Sequence, residues 1–468
     1  MHEEAIQYFS ELLGEQHVRF SEADRLVYSY DGTPGFQAMP DCIVSPETTA
    51  EVAAIVRYCQ KHRIPIVPRG SGTNLSAGTC PTRGGVVLLF TRMKQILELD
   101  PENLTMTVQP GVITKEIHQA AEHIGLFYPP DPSSQSISTI GGNINENSGG
   151  LRGLKYGVTK DYVLGLEVVL ANGNVIRTGG KLAKDVAGYD LTKLLVGSEG
   201  TLGIVTEATL KLLPVPETKK TILASFTSIE AAGRVVSQII ANKIIPATLE
   251  FMDQGTMKAV EAYTHVGLPT EAEAVLLIEQ DGAEAVVLRD IEQMIAICRA
   301  AEAVNISVAT TEAEAEQLRA ARRSALSALA RLRPTTILED ATVPRARVAE
   351  MVNAISEIAK QHSVAICTFG HAGDGNLHPT CVTDARDAAE MGRVEQAFED
   401  IFAKAIDLGG TITGEHGVGE MKSPYLAWKV GDAGVQVMKS LKHSFDPQNI
   451  MNPGKMFAKE ERKRVVLS

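Results

Sequence analysis

Hydrophobic and polar positions follow one rhythm up to about residue 214 and another beyond it. In the first stretch, short apolar runs alternate with segments of helical spacing. Residues 50–61 place their apolar side chains at helical intervals, with Thr48 or Thr49 as N-cap. Residues 64–67, 86–90 and 105–109 predict short strands, and 163–170 a longer one. Ala171-Asn172-Gly173-Asn174 then signals a hairpin, with 175–178 as its return strand. A strand over 201–213 stops at Pro214-Val215-Pro216, the first domain boundary.

Past that point the pattern becomes strand–helix–strand. Strand 221–226, helix 229–241 and strand 247–252 are followed by strand 274–279, helix 284–303 and strand 306–309. This predicts a duplicated βαβ arrangement that packs one sheet against helices, without sequence identity between the copies. Helix 346–362, strand 364–369 and helix 388–408 come next, and a last helix near 433–445 runs into Asp446-Pro447 and Asn452-Pro453-Gly454-Lys455.

Composition narrows the classes. At roughly 150 residues per domain, the 468 residues imply two to four domains. A hydrophobic share of 44% with 22% charged residues fits ordinary globular material. The net charge of −12 argues against nucleic acid as a partner. The N-terminal MHEEAIQYFSELLGE is acidic and amphipathic, without the basic start and apolar core of a signal peptide, and the longest apolar run, 85–90, is too short to span a bilayer. The expectation is a cytoplasmic protein with no transmembrane segment, or one held at the inner face of the membrane through partners. The six cysteines form no CxxC pair, so small buried hydrophobes are expected rather than disulfides or an iron–sulfur centre.

Three loops carry candidate chemistry. Pro68-Arg69-Gly70-Ser71-Gly72-Thr73-Asn74-Leu75-Ser76 follows a predicted strand, and glycines there let successive N–H groups form an anion nest. It is neither a GxGxxG opening a helix nor a GxxxxGK[ST], so Rossmann and P-loop readings fail; taken alone it fits a phosphate nest or a plain tight turn equally. The second stretch runs Pro129-Pro130-Asp131-Pro132-Ser133-Ser134, then Ile140-Gly141-Gly142-Asn143, then Asn147-Ser148-Gly149-Gly150. The third is Gly197-Ser198-Glu199-Gly200-Thr201-Leu202-Gly203-Ile204-Val205. Three such loops on one α/β frame have the reach to surround a long dinucleotide.

The order PRGSGTNLSAG, PDPSS, TIGGNI, NSGG, GSEGTLGIVTE and NPGK resembles the vanillyl-alcohol-oxidase-type FAD enzymes. Within them it resembles the branch of the glycolate oxidase D-subunit, D-lactate dehydrogenase and D-2-hydroxyglutarate dehydrogenase, along nearly the whole chain. The resemblance implies an α+β fold with a PCMH-type FAD-binding domain of two α/β subdomains over 1–216. It implies a cap domain for substrate, with an antiparallel sheet and helices, over 217–410, and a C-terminal segment, 411–468, returning to the FAD domain. It implies that Pro68, Arg69, Gly70, Ser71, Gly72, Thr73, Asn74 and Ser76 wrap the FAD pyrophosphate. Gly141, Gly142, Asn143, Ser148 and Gly150 would lie near the ribityl chain and isoalloxazine, with Pro130, Asp131, Ser134 and Asn147 also in the cofactor site. Glu199, Gly200, Gly203, Ile204 and Val205 would complete the cofactor site, the last two on the adenine side, with Asn452 near the flavin. Thr73 stands where relatives with covalent flavin carry His, so non-covalent FAD is expected.

A second constellation lies in Gly370-His371-Ala372-Gly373-Asp374-Gly375-Asn376-Leu377-His378-Pro379. With Asp374-Gly375 as a two-residue turn, His371 falls opposite His378, and opposed side chains start roughly 4.5–5.5 Å apart at Cβ. That spacing suits two imidazoles on one divalent ion; Glu415 in Gly414-Glu415-His416-Gly417 would add a carboxylate, leaving His416 as a base. On residues alone, ordinary polar loops fit about as well. The resemblance assigns His371, His378 and Glu415 to a divalent ion (Zn, Fe or Mn) and His416 to proton acceptance. Substrate hydroxyl and carboxylate would then chelate the ion, and the C2 hydride would pass to flavin N5. Arg322 aligns with a substrate-binding arginine, against a solvated basic face that suits Arg319 and Arg323 better; Lys422 matches a family lysine, with a surface role nearly as suitable.

The implied activity is oxidation of a small D-2-hydroxy acid, D-lactate or glycolate ahead of D-2-hydroxyglutarate. Electrons would go to a partner such as an iron–sulfur subunit, an electron-transferring flavoprotein or a quinone. A homodimer is allowed. Two other classes stay open: a metal-dependent hydrolase, which leaves the FAD-type loops unexplained, and a non-catalytic scaffold, which has no use for the two histidine motifs.

Overall fold

The computed structural model describes residues 3–457; Met1 and His2 of the N-terminal stretch lie outside the described residues. The chain divides into two units. The first runs to Ser148, resumes over Val158–Val215 and is completed from Glu415 onward; the second comprises Gly149–Gly157 and Pro216–Gly414.

The first unit holds two larger sheets, beside a two-stranded pairing of Leu126–Phe127 with Leu213–Pro214. β1 (Val18–Arg19), β2 (Cys42–Val44), β3 (Ile66–Arg69) and β4 (Val86–Leu89) are ordered β1-β2-β4-β3, with β2 and β3 both parallel to β4. α1 (Thr49–His62) makes the crossover from β2 to β3. It starts where Thr48 Oγ1 accepts the Glu51 N–H at 3.2 Å and stops at Arg63, whose left-handed φ of 54 ends the spiral. Its buried face, Val52, Ile55, Val56 and Cys59, joins Val86 and Leu88 in one core, while Val87 and Leu89 join Ile43 and Val67 on the opposite face of the sheet. Both faces are covered, which is why 86–89 reads as an unbroken apolar run. At roughly 1.5–3 kcal/mol per buried Val or Ile, this packing outweighs the poor helix propensity of β-branched residues.

The second sheet comprises β5 (Ile96–Asp100), β6 (Thr105–Val108), β7 (Val163–Val169), β8 (Val175–Gly179) and β9 (Ile204–Lys211), antiparallel in the order β5-β6-β9-β7-β8. Between β6 and β7 a short helix, α2 (Ile140–Glu146), is capped by Thr139. β9 starts at Ile204 rather than at 201, because Gly197, Glu199 and Gly200 all have positive φ and turn the chain instead.

In the second unit, β10 (Thr218–Phe226), α3 (Ile229–Ala241), β11 (Thr248–Asp253), β12 (Ala274–Gly282), α4 (Glu284–Ala300) and β13 (Asn305–Val308) follow in sequence. The two βαβ copies interleave, giving the order β13-β10-β12-β11 with every neighbouring pair antiparallel. After α5 (Glu312–Arg323), the sheet continues with β14 (Thr335–Leu338), β15 (Ala341–Thr342) and, beyond α6 (Val348–His362), with β16 (Ile366–His371) and β17 (Asn376–Thr383). β16 docks on β11, β17 on β16, and β14 and β15 on β17. α7 (Ala388–Asp407) follows.

The last helix, α8 (Leu426–Phe445), begins seven residues before the expected 433; Gly431, at φ 69 and ψ 164, breaks it internally and hid its first part. Among the described residues no helix is long and apolar enough to cross a membrane. All six cysteines are free, and burial pushes the thiols of Cys42, Cys80, Cys298, Cys367 and Cys381 up to about 12, so they are not nucleophiles at neutral pH.

Candidate functional site

In the first unit a narrow cleft opens between the glycine loops. Of the predicted cofactor residues, Pro68, Arg69, Gly70, Gly141, Gly142, Glu199, Gly200, Ile204, Val205 and Asn452 line it. Sequence reasoning missed Gly78, Thr79, Phe90, Pro110, Thr139, Asn145 and Glu146, which line it too; of these, only Gly78 and Thr139 sit inside a glycine motif where a signal existed. Gly70 cannot carry a side chain, since a Cβ would meet Thr139 Oγ1 at 2.1 Å. This close backbone approach, repeated where Gly141 lies against Pro110, holds the glycine loops tightly together along the cleft.

Other predicted residues hold the loops rather than line the cleft. Asn74 Oδ1 accepts the N–H groups of Ser76 at 2.9 Å and Gly78 at 2.6 Å, folding the first loop into a turn. Ser71 Oγ donates to the Ile137 carbonyl. Thr73 sits in the same loop, where the Gly32 backbone packs against its carbonyl. Gly72, at φ +72, closes over the Arg69 guanidinium, which donates to the Tyr30 carbonyl at 2.7 Å. Asp131 accepts from Gln135 Nε2 at 2.7 Å, the Pro130 carbonyl meets His118 Nε2 at 2.8 Å, and the Ser134 carbonyl accepts the Ser138 N–H at 2.8 Å. Asn143 donates to Thr114 Oγ1 at 2.6 Å, Asn147 accepts the Lys160 N–H at 2.9 Å, and the Ser148 carbonyl takes Thr159. Gly203 packs on Val168, and Gly150 falls in the segment that belongs to the second unit.

The segment after Glu415 is fixed within this first unit. Glu199 accepts the Val418 and Gly419 N–H groups, each at 2.7 Å, and Ser76 Oγ donates to the His416 carbonyl at 2.9 Å. Glu415 Oε1 lies 3.5 Å from His416 Nε2. Lys422 is fully buried, contrary to a surface role, and its charge acts on Glu146 and Glu199.

The histidine pair lies in the second unit. The hairpin register differs from the expected one: His371 pairs with Asn376, and His378 with Phe369. The loop is wider than two residues because the His371 carbonyl accepts both the Asp374 and Gly375 N–H groups, and Asp374 Oδ1 takes the Asn376 N–H. His371 and His378 are therefore diagonal on one face of β16–β17, and their rings still stand 5.1 Å apart, as a long cross-strand diagonal allows. Both are 4% exposed. His371 Nδ1 lies 2.7 Å from Glu250 Oε1, and His378 Nδ1 lies 3.2 Å from Asp340 Oδ1. Neither carboxylate was found from sequence: Glu250 lies within the strand 248–253, and Asp340 follows Glu339 in the short link between β14 and β15. Asp340 Oδ2 also accepts Thr413 Oγ1 and the Gly414 N–H, fixing the residues that lead into Glu415.

Arg322, on α5, is buried over the Phe369 ring at 4.7 Å. Its Nη2 lies 2.7 Å from Glu250 Oε2, an ion pair whose N–H is not aligned on the oxygen, and its Nε has no hydrogen-bond partner among the described residues. Arg319 is not a solvated face residue: it is 4% exposed and paired with Glu279, Glu312 and Glu316, while Arg323 pairs with Glu316. Two buried imidazoles, each backed by a carboxylate, form a donor set that suits a borderline divalent ion, the carboxylates orienting the rings.

Residues 215–456 match the description "FAD linked oxidases, C-terminal domain", and residues 40–179 match "FAD binding domain". The glycolate oxidase subunit GlcD of Bacillus subtilis (strain 168) is 68% identical over 97% of this chain and 96% of its own. A D-lactate dehydrogenase of Anaerostipes hadrus is 37% identical over 90% of each chain. The fold is shared with p-cresol methylhydroxylase, at a TM-score of 0.78 and 18% identity over 97% of this chain and 96% of that one. The cleft, its loops and these likenesses agree: the chain belongs to the FAD-linked oxidases, as a FAD-dependent 2-hydroxy-acid oxidoreductase.

Proposed function

We propose that the protein oxidises a small D-2-hydroxy acid, glycolate or D-lactate, to the 2-oxo acid and passes the electrons to a partner protein. The observation that carries this reading is the anchoring of the His416 segment on Ser76 and Glu199, residues of the loops that form the dinucleotide cleft. A base held beside a redox cofactor is what alcohol oxidation needs. FAD, when bound, supplies the hydride acceptor. His416 takes the hydroxyl proton, a role that an imidazole fills near neutral pH. Arg322, with Nε still to be satisfied, receives the substrate carboxylate. Lys422 adds a buried positive charge beside the cleft-lining carboxyls.

A divalent ion would be held by His371, His378 and Glu415, and when bound would supply a Lewis acid for the substrate oxygens. Support for it is the buried imidazole pair with Glu250 and Asp340 behind it. The names of the relatives support glycolate and D-lactate, and the word "subunit" in one of them supports a protein acceptor.

Anaerobic flavin bleaching tests the reading. Glycolate or D-lactate should reduce the flavin fully. His416→Ala should keep FAD and metal yet reduce about 10²–10⁴-fold more slowly. His371→Ala should lose metal, measured by elemental analysis, while keeping FAD. A His416→Ala protein that bleaches at the wild-type rate would remove the base assignment.

A further inference from the structure

Every residue from His416 to Gly419 is clamped by the cofactor loops. Glu199 Oε1 and Oε2 each accept one N–H, from Val418 and Gly419, at 2.7 Å. Ser76 Oγ holds the His416 carbonyl at 2.9 Å. At Gly417 a Cβ would lie 2.1 Å from Glu146 Oε2 and 3.1 Å from Glu199 Oε1. At Gly419, φ is +54 and a Cβ would lie 1.9 Å from the Ser76 carbonyl. Glu199 is itself held in a left-handed conformation, φ 53, that costs a non-glycine residue energy. Its N–H donates to the Asn145 carbonyl at 2.9 Å, and its carbonyl accepts Asn452 Nδ2 at 2.7 Å.

Two carboxyls thus face one glycine. Burial raises both, and Glu146 goes well above the carboxylate range because Glu199 and Asp31 face it as well. Glu199 is favoured as the charged member by its two N–H donors and by Lys455 and Lys422. Charge is thus better supported on Glu199, whose carboxylate oxygens each accept an N–H, than on Glu146, which faces two carboxyls.

We propose that Glu199 is a positioning residue for His416: its carboxylate sets the backbone of 416–419 and so the placement of the imidazole that this backbone carries. The proposal rests on the reading of His416 as proton acceptor. It assigns to Glu199 a task distinct from contact with the cofactor.

Glu199→Gln keeps the shape but turns one acceptor into an amide donor that opposes the second N–H. Stopped-flow reduction of the holoenzyme by glycolate should show a limiting rate lower by about 10- to 100-fold. The half-saturating glycolate concentration and the FAD stoichiometry should stay as in wild type. Ser76→Ala, which releases the His416 carbonyl, should lower the same rate with the same split. Loss of FAD from Glu199→Gln would overturn the proposal, because Glu199 would then be a cofactor contact. So would a raised half-saturating concentration at an unchanged limiting rate. If Glu199→Gln does not fold, an unchanged limiting rate in Ser76→Ala overturns it. His416→Ala, measured alongside, separates the two readings: slow reduction there with a wild-type rate in Glu199→Gln sinks the positioning role alone, whereas a wild-type rate in His416→Ala sinks both.

Discussion

Glu250 joins two side chains that the sequence presented as unrelated. One carboxylate oxygen lies on His371 Nδ1 and the other on Arg322, and all three side chains are buried. A carboxylate behind an imidazole fixes its tautomer and raises its basicity. Glu250→Gln should therefore weaken binding of added Zn²⁺ by about 10- to 100-fold. It should also leave the buried Arg322 charge without its partner, at a stability cost of about 3–5 kcal/mol. Metal titration of the purified variant and its thermal unfolding check the two parts; unchanged affinity with a lowered Tm would reduce Glu250 to a purely structural counter-ion. The same logic explains why Arg319 is buried although it belongs to a run of three arginines: Glu279 waits on β12 for it.

At the scale of elements, the β16–β17 hairpin shows how a motif can be found while its geometry is misread. Asp-Gly favours a two-residue turn, but here Gly375 is needed elsewhere. At φ +92 its Cα faces the Val343 carbonyl so closely that a Cβ would lie 2.0 Å away. The loop widens, the register shifts, and the two histidines meet along a diagonal. Gly375→Ala should cost about 1–3 kcal/mol from backbone strain alone, lower Tm, and reduce metal uptake because the loop must open. Gly392, inside α7 with open space at its Cβ, should behave oppositely. Gly392→Ala should stabilise by about 0.5–1 kcal/mol through helix propensity. Differential scanning calorimetry of both variants checks the opposed signs.

For the whole molecule, the dinucleotide cleft is assembled from loops spread between residues 68 and 452, all folded into one unit. The first of those loops carries Thr73 where the resemblance places His in relatives with covalent flavin. Acid precipitation should therefore leave the protein pellet colourless and release all FAD intact to the supernatant. Flavin retained on the denatured chain would contradict this.

Sequence alone determined what local chemistry can determine. Periodicity marked α1, α3 and α7, and turn residues marked the β7–β8 hairpin, because spacing and glycine act over a few residues. The glycine loops and the two histidine motifs were legible for the same reason, since each is contiguous. Contacts between distant segments left no local trace. Glu250 and Asp340 behind the imidazoles, Glu199 under the His416 segment, Glu146 on the cleft wall and the burial of Lys422 are all of that kind. A carboxylate looks the same in a sequence whether it faces water or a buried imidazole; only the fold removes the water and brings the partner within hydrogen-bonding distance.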